Sequence, residues 1–182
     1  MDEARNWVQL GALFVGIVGG LLAVFRGIYE MRQSTRQRYV DLRWKRANAA
    51  RDLVSDIHHD QRAAAAVLMM DWSDGAHEHD LGSGRREILS YSDVLAALAK
   101  PAAECCEAKE HYVRDCFDWF FYYVDRIEHY IETGLIEFVD VASIFKPYIL
   151  VFRKDQATYD QFVAKRGYEL VPKFLARYRP SV

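Results

Sequence analysis

Residues 104–133, ECCEAKEHYVRDCFDWFFYYVDRIEHYIET, decide the fold class. Val113, Cys116, Phe120, Val124, Ile127 and Ile131 recur at steps of three and four, the period of a helix with one face in a core. Gly134 stands where such a helix stops. The rings of Phe117, Trp119, Phe120, Phe121, Tyr122 and Tyr123 cover more than one face, so the helix is either enclosed by neighbours or leaves aromatic surface exposed. Trp119, Phe121 and Tyr122 are the candidate interaction surface.

Downstream, LIEFVDV (135–141) alternates like a strand, but it runs directly into ASIFKPYILVF; the reading is a helix with a restart or kink at Pro147. Asp155 is placed to cap a further helix that Gly167 ends, and Pro172 suits the first turn of a closing helix. Upstream, Ser92 and Asp93 are expected to start a short helix stopped by Pro101, and Asp60 to cap DQRAAAAVLMMDW. Between these, SDGAHEHDLGSG (73–84) is rich in turn residues and reads as a mobile loop.

The first quarter of the chain has another character. WVQLGALFVGIVGGLLAVF, Trp7 to Phe25, is 19 residues without a charge. As a helix it is about 28 Å long, close to the thickness of a bilayer's hydrocarbon core. The leader MDEAR lacks the basic region and cleavage site of a signal peptide, so an uncleaved single-pass anchor is expected. One Arg precedes the stretch, and Arg26, Arg32, Arg36, Arg38, Arg43, Lys45 and Arg46 follow it. By the positive-inside rule the N-terminus lies outside the cell's inner (cytoplasmic) membrane and the body in the cytoplasm. Trp7 and Tyr29, with Arg26 and Arg32, are placed as interfacial anchors. Ala12, Gly16 and Gly20 form a small-residue row at four-residue spacing, and Gly19, Ala23 and Gly27 a second, the pattern by which two membrane helices approach closely. A homo-oligomer is therefore expected. Beyond Arg26 the helical period persists through Tyr39, Leu42, Ala49, Leu53 and Ile57, giving an expected division into anchor (1–29), basic stalk helix (30–58) and helical domain (59–182).

The 182 residues, 51% of them apolar, suffice for one core, and 24 basic against 26 acidic residues give a net charge of -2 that disfavours nucleic acid as a partner. Three Cys cannot make a disulfide framework and suit a reducing compartment. Charge is nevertheless segregated, with nets of +4 over 26–66, -10 over 67–145 and +5 over 146–182. Solvated faces of an electrostatically complementary bundle explain this most simply.

Two clusters carry candidate chemistry. His58, His59 and Asp60, with Asp71, Asp74, His77, Glu78, His79 and Asp80, contain the donors of a zinc or manganese site, but without a helical HExxH spacing. Asp115, Asp118, Asp125, Glu128 and Glu132 form an acidic ladder on the aromatic helix that suits acid–base work or Mg²⁺, though such a ladder is more often an exposed helix face; a buried Asp118 would need a basic or donor partner. Cys105, Cys106 and Cys116 have no basic activator nearby in sequence. No P-loop, GxGxxG, GxSxG or CxxC occurs, so the expectation is no catalytic residue, no metal and no cofactor.

The order of anchor, basic stalk, CFDWFFYYVDRIEHYIETGLI, FVDVASIFKPYILVF and TYDQF, about two thirds of the chain, resembles a bacterial family named only as domain of unknown function 4760. The resemblance implies an anchored all-helical domain and carries over no activity. The fold expected is all-α, a transmembrane helix continuing into a stalk and then a small cytoplasmic bundle. The function expected is scaffolding or signalling at the membrane face, with the lipid bilayer, a second copy and a membrane-protein partner as its company. A membrane-perturbing oligomeric effector ranks second, because Gln9 alone offers the span a polar face, and a metal-dependent hydrolase third.

Overall fold

The computed structural model describes residues 2–71, 75–81, 86–104 and 107–178; of residues 2–18, 23 and 102 it describes the backbone alone. The chain is mostly helical, as expected, and divides into two compact units, Met1–Lys45 and Arg46–Val182. Helix α1 runs from Asp2 to His59. The division falls inside the segment read as a stalk, because Ala50, Leu53 and Ile57 are already buried in the core of the second unit. Among the described residues no helix is long and apolar enough to cross a membrane. Of the expected span, Trp7–Phe25, residues 7–18 and 23 are described by their helical backbone alone.

Asp60 turns the chain into α2 (Gln61–Asp71) as its composition suggests: its Oδ1 accepts from the backbone N–H groups of Arg62 and Ala63, both at 2.9 Å. The histidine-rich stretch departs from expectation. It is the first strand of a hairpin, β1 (Ala76–Asp80) antiparallel to β2 (Arg86–Ser90), with His77 opposite Leu89 and His79 opposite Glu87. AHEHD has no apolar alternation to announce a strand; backbone pairing and the one buried side chain of β2, Leu89, hold it.

Helix α3 (Tyr91–Ala99) starts one cap earlier than the Ser92–Asp93 reading, at Ser90. Asp93, three residues on, accepts from the Ser90 backbone N–H (2.9 Å) while the Ser90 hydroxyl accepts from that of Asp93 (3.2 Å), a capping box that Ser92 cannot form. The Ser90 hydroxyl also donates to the Asp93 carboxylate at 2.6 Å, and this bond, then that from the Ser90 backbone N–H, holds the Asp93 carboxyl below its usual range. Helix α4 (Ala108–Glu132) ends as predicted, with Gly134 at φ 73° and the Leu135 N–H donating back to the Tyr130 carbonyl at 2.9 Å. Helix α5 (Phe138–Lys154) takes Pro147 inside it, and 135–141 makes no strand. Helix α6 (Gln156–Arg166) follows, and Gly167, at φ 76°, stops it. Asp155 precedes α6 but does not cap it with its side chain, whose Oδ2 accepts from the Tyr91 hydroxyl at 3.0 Å instead. Pro172 stands in the first turn of α7 (Val171–Ala176).

Helix α4 is the centre of the second unit. Phe117, Phe120 and Phe121 have no exposed surface. Phe120 meets Phe145 and Phe152 of α5, while Phe121 meets Phe152 and, from α6, Phe162, ring centroids lying 5.6–6.5 Å apart. The helix is thus enclosed on several sides, which resolves why its rings are not confined to one stripe. Truncating Phe120 to Ala is expected to cost about 3–5 kcal/mol of unfolding free energy in urea, and Trp119→Ala about 1 kcal/mol or less. Equal losses at the two positions would contradict this assignment of core and surface.

Candidate functional site

The acidic ladder of α4 is the most organised polar feature of the body. From its start the ladder is engaged by other elements. Asp115 accepts from Arg62 of α2 at 3.1 Å, and Asp118 pairs with Arg166 at the end of α6. The Oδ1 of Asp125 accepts the backbone N–H of Leu170 at 3.0 Å, where α7 begins. Glu128, whose side chain is 1% exposed, receives the Arg177 guanidinium on both oxygens, with bonds of 2.7–3.0 Å. Glu132 accepts from Lys173 at 2.8 Å, which holds its carboxyl below the usual range.

Asp118 is the rung with an unbalanced environment. Burial raises its carboxyl above the usual range against the pull of Arg166, and its Oδ1 has no hydrogen-bond partner among the described residues. The basic partner that its placement between Phe117 and Trp119 required is therefore present. Arg114, also buried, points the other way along the body. Its Nη1 donates to the carbonyls of Ala97 (2.9 Å) and Lys100 (2.6 Å), closing the C-terminal end of α3. Sequence spacing places these acids on one helix face but contains no signal of which distant base each would meet.

The candidate interaction surface separates. Phe121 is fully buried and belongs to the core, a correction that follows from α6 covering its side of α4. Trp119 (41% exposed) and Tyr122 (44%) remain outside, edge to face at 5.7 Å, with Tyr123 beside them and Arg126 stacked over the Tyr123 ring. The result is a small, partly exposed aromatic edge with the Arg126 guanidinium beside it.

The histidines do not gather. His77, Glu78 and Asp80 lie exposed on β1, His79 packs its ring 6.0 Å from that of Tyr112, and His59 Nδ1 approaches the Ser55 carbonyl at 2.7 Å on α1. Burial, and then the neighbouring His77, push His79 below its ordinary value. Asp74 lies outside the described residues. Among the described residues no group of three His, Cys, Asp or Glu side chains is disposed to hold a metal ion.

One cavity was not legible in the sequence. It encloses about 630 Å³ between α5, α6 and α7, walled by Ile149, Phe152, Tyr159, Val163, Pro172 and Leu175. Its volume is that of a small-molecule pocket. The polar groups around it turn to protein partners: Gln156 donates to Asp160 at 3.1 Å, and Tyr159 shares a hydrogen bond with Tyr91 at 3.2 Å. Arg153 and Asp160 also line it, and Arg153 donates to the Tyr178 carbonyl.

In the first unit, Gly19 and Gly20 are exposed, with open space where a Cβ would stand, as it is at Gly27. Trp7, Ala12, Gly16 and Ala23 are described by their backbone alone. Arg26 donates to Glu30 at 2.9 Å, and Tyr29 and Arg32 are exposed.

Cys116 is buried, and burial pushes its thiol up to about 12. Cys105 and Cys106 lie outside the described residues. In a chain carrying Cys105→Ser and Cys106→Ser, the remaining thiol is expected to react with a disulfide reagent at neutral pH only after denaturant unfolds the body. Rapid labelling of the folded chain would contradict this. No family model, curated protein or solved structure matches the chain.

Proposed function

We propose that the chain is a membrane-anchored helical interaction module. In this reading residues 7–25 cross the cytoplasmic membrane once, the N-terminus lies outside, and the body works at the inner face by associating with a second copy and with a membrane-protein partner, not by catalysis. The observation that carries it is the single helix Asp2–His59, which contains 19 uncharged residues over 7–25 and continues over 26–46 with seven basic residues against two acidic. An uncharged stretch of that length, with its basic excess on one side, is the pattern of an oriented anchor.

Other features support the same reading. The body has its own core, so it has no need of the N-terminal 45 residues to bury apolar surface. Its ionisable ladder is engaged in holding helices together, and the exposed aromatic edge at Trp119 and Tyr122 is available for a partner. The rows Ala12, Gly16, Gly20 and Gly19, Ala23, Gly27 favour close pairing of two such helices. The resemblance to domain of unknown function 4760 implies the same architecture.

Fractionation tests the anchor. The full chain is expected to sediment with membranes washed in alkaline carbonate and to be released only by detergent; a chain left in the supernatant would overturn the reading. Gly16→Leu together with Gly20→Leu is then expected to lower the mass of the detergent-solubilised assembly to that of a monomer. An unchanged mass would remove this helix from the self-association.

A further inference from the structure

The part of α1 that follows the uncharged stretch has an uneven surface. At about 100° per residue, Arg32, Arg36 and Arg43 fall within about 40° of one another and form a row along the helix. None of the three has an ion-pair partner among the described residues, and all are exposed. Ile28, Tyr39 and Leu42 flank the row on one side, and Tyr29, Val40 and Trp44 on the other; each is 46–69% exposed. Thr35, beside Leu42 and Tyr39, donates its hydroxyl back to the Met31 carbonyl at 2.8 Å, which leaves its methyl as the outward group. The acids lie on the other side. Glu30, tied to Arg26, and Asp41 share the sector roughly opposite the row with Ser34 and Gln37.

A helix with rings and aliphatic groups on both sides of an arginine row, and with its carboxylates turned away, has the composition of a surface that lies among lipid headgroups. Arginine forks bind phosphate in pairs of hydrogen bonds, Tyr and Trp settle at the headgroup level, and aliphatic groups between them enter the acyl boundary. A polyanion that offered phosphates alone would leave those apolar flanks uncovered. We propose that residues 28–45 dock along an anionic phospholipid surface through Arg32, Arg36 and Arg43. The proposal rests on the anchor reading, because the row begins within two helical turns of the uncharged stretch and so stands beside the membrane that the stretch would cross. To lie along that surface the helix bends where span and row meet. Gly27 occupies this junction, with open space around it and the weakest helical preference of any residue but proline.

The test uses the full chain with Cys105→Ser and Cys106→Ser, labelled with bimane at Tyr39→Cys or at Ser34→Cys, in vesicles of phosphatidylserine and phosphatidylcholine with brominated acyl chains. Quenching is expected to be severalfold stronger at position 39 than at position 34, and the contrast is expected to vanish in phosphatidylcholine alone and on Arg36→Glu with Arg43→Glu. Equal quenching at both positions overturns the docking. So does proximity between labels at position 39 on two copies, which would mean that a second chain covers the row. Flotation in high salt scores the anchor separately. A chain that floats without the quenching contrast keeps the anchor and loses the docking, whereas a chain that binds anionic vesicles with the contrast but washes off in salt keeps the docking and loses the anchor.

Discussion

The arrangement of the body depends on the carboxylates of α4 being met, one after another, by the basic end of the chain. Asp118, Asp125, Glu128 and Glu132 sit on one face of the helix, and Arg166, the Leu170 backbone N–H, Arg177 and Lys173 meet them in turn. Removing one partner of a buried pair leaves a charge without compensation, which costs far more than the pair contributes over an apolar alternative. The ladder therefore specifies where α6 and α7 lie more than it adds raw stability. It also brings three acids of the segment 67–145, whose net charge is -10, onto three bases of the segment 146–182, whose net is +5.

Beside that seam, Phe117, Phe120 and Phe121 of α4 enter the core, closed over by α5 and α6, and the seam helps to set where α6 lies. Many of the carboxylates, arginines and tyrosines of the described body are engaged with one another, and the cavity between α5, α6 and α7 has walls that are largely apolar, with Arg153, Gln156 and Asp160 among its lining residues. Trp119 and Tyr122 are among the large apolar side chains that the body leaves exposed.

Much of this was legible because helices announce themselves locally. The period through Val113 and Ile131, the stop at Gly134, the cap at Asp60 and the end at Gly167 each depend on residues within a turn or two of one another. The misreadings have a common cause. The strand at Ala76–Asp80 is made by pairing with residues six to fourteen positions on, through backbone groups that its polar side chains conceal. Asp155 has the right type and position for a cap, but Tyr91, 64 residues earlier, claims its carboxylate. Phe121 stands between buried Phe120 and exposed Tyr122, and it is the positions of α5 and α6 that bury it. For the site, sequence spacing gave the ladder's face and the need of Asp118 for a cation; the partner, Arg166, is 48 residues away and no local pattern points to it.

The seam is tested most directly at its most buried rung by a double-mutant cycle of Glu128→Gln and Arg177→Gln, read as unfolding free energies in urea. A seam that fixes the C-terminal helices predicts a coupling of about 1 kcal/mol or more, with the double variant losing less than the sum of the singles. Additivity within about 0.5 kcal/mol would mean that the two side chains merely lie together, and that apolar packing alone places α7 against α4.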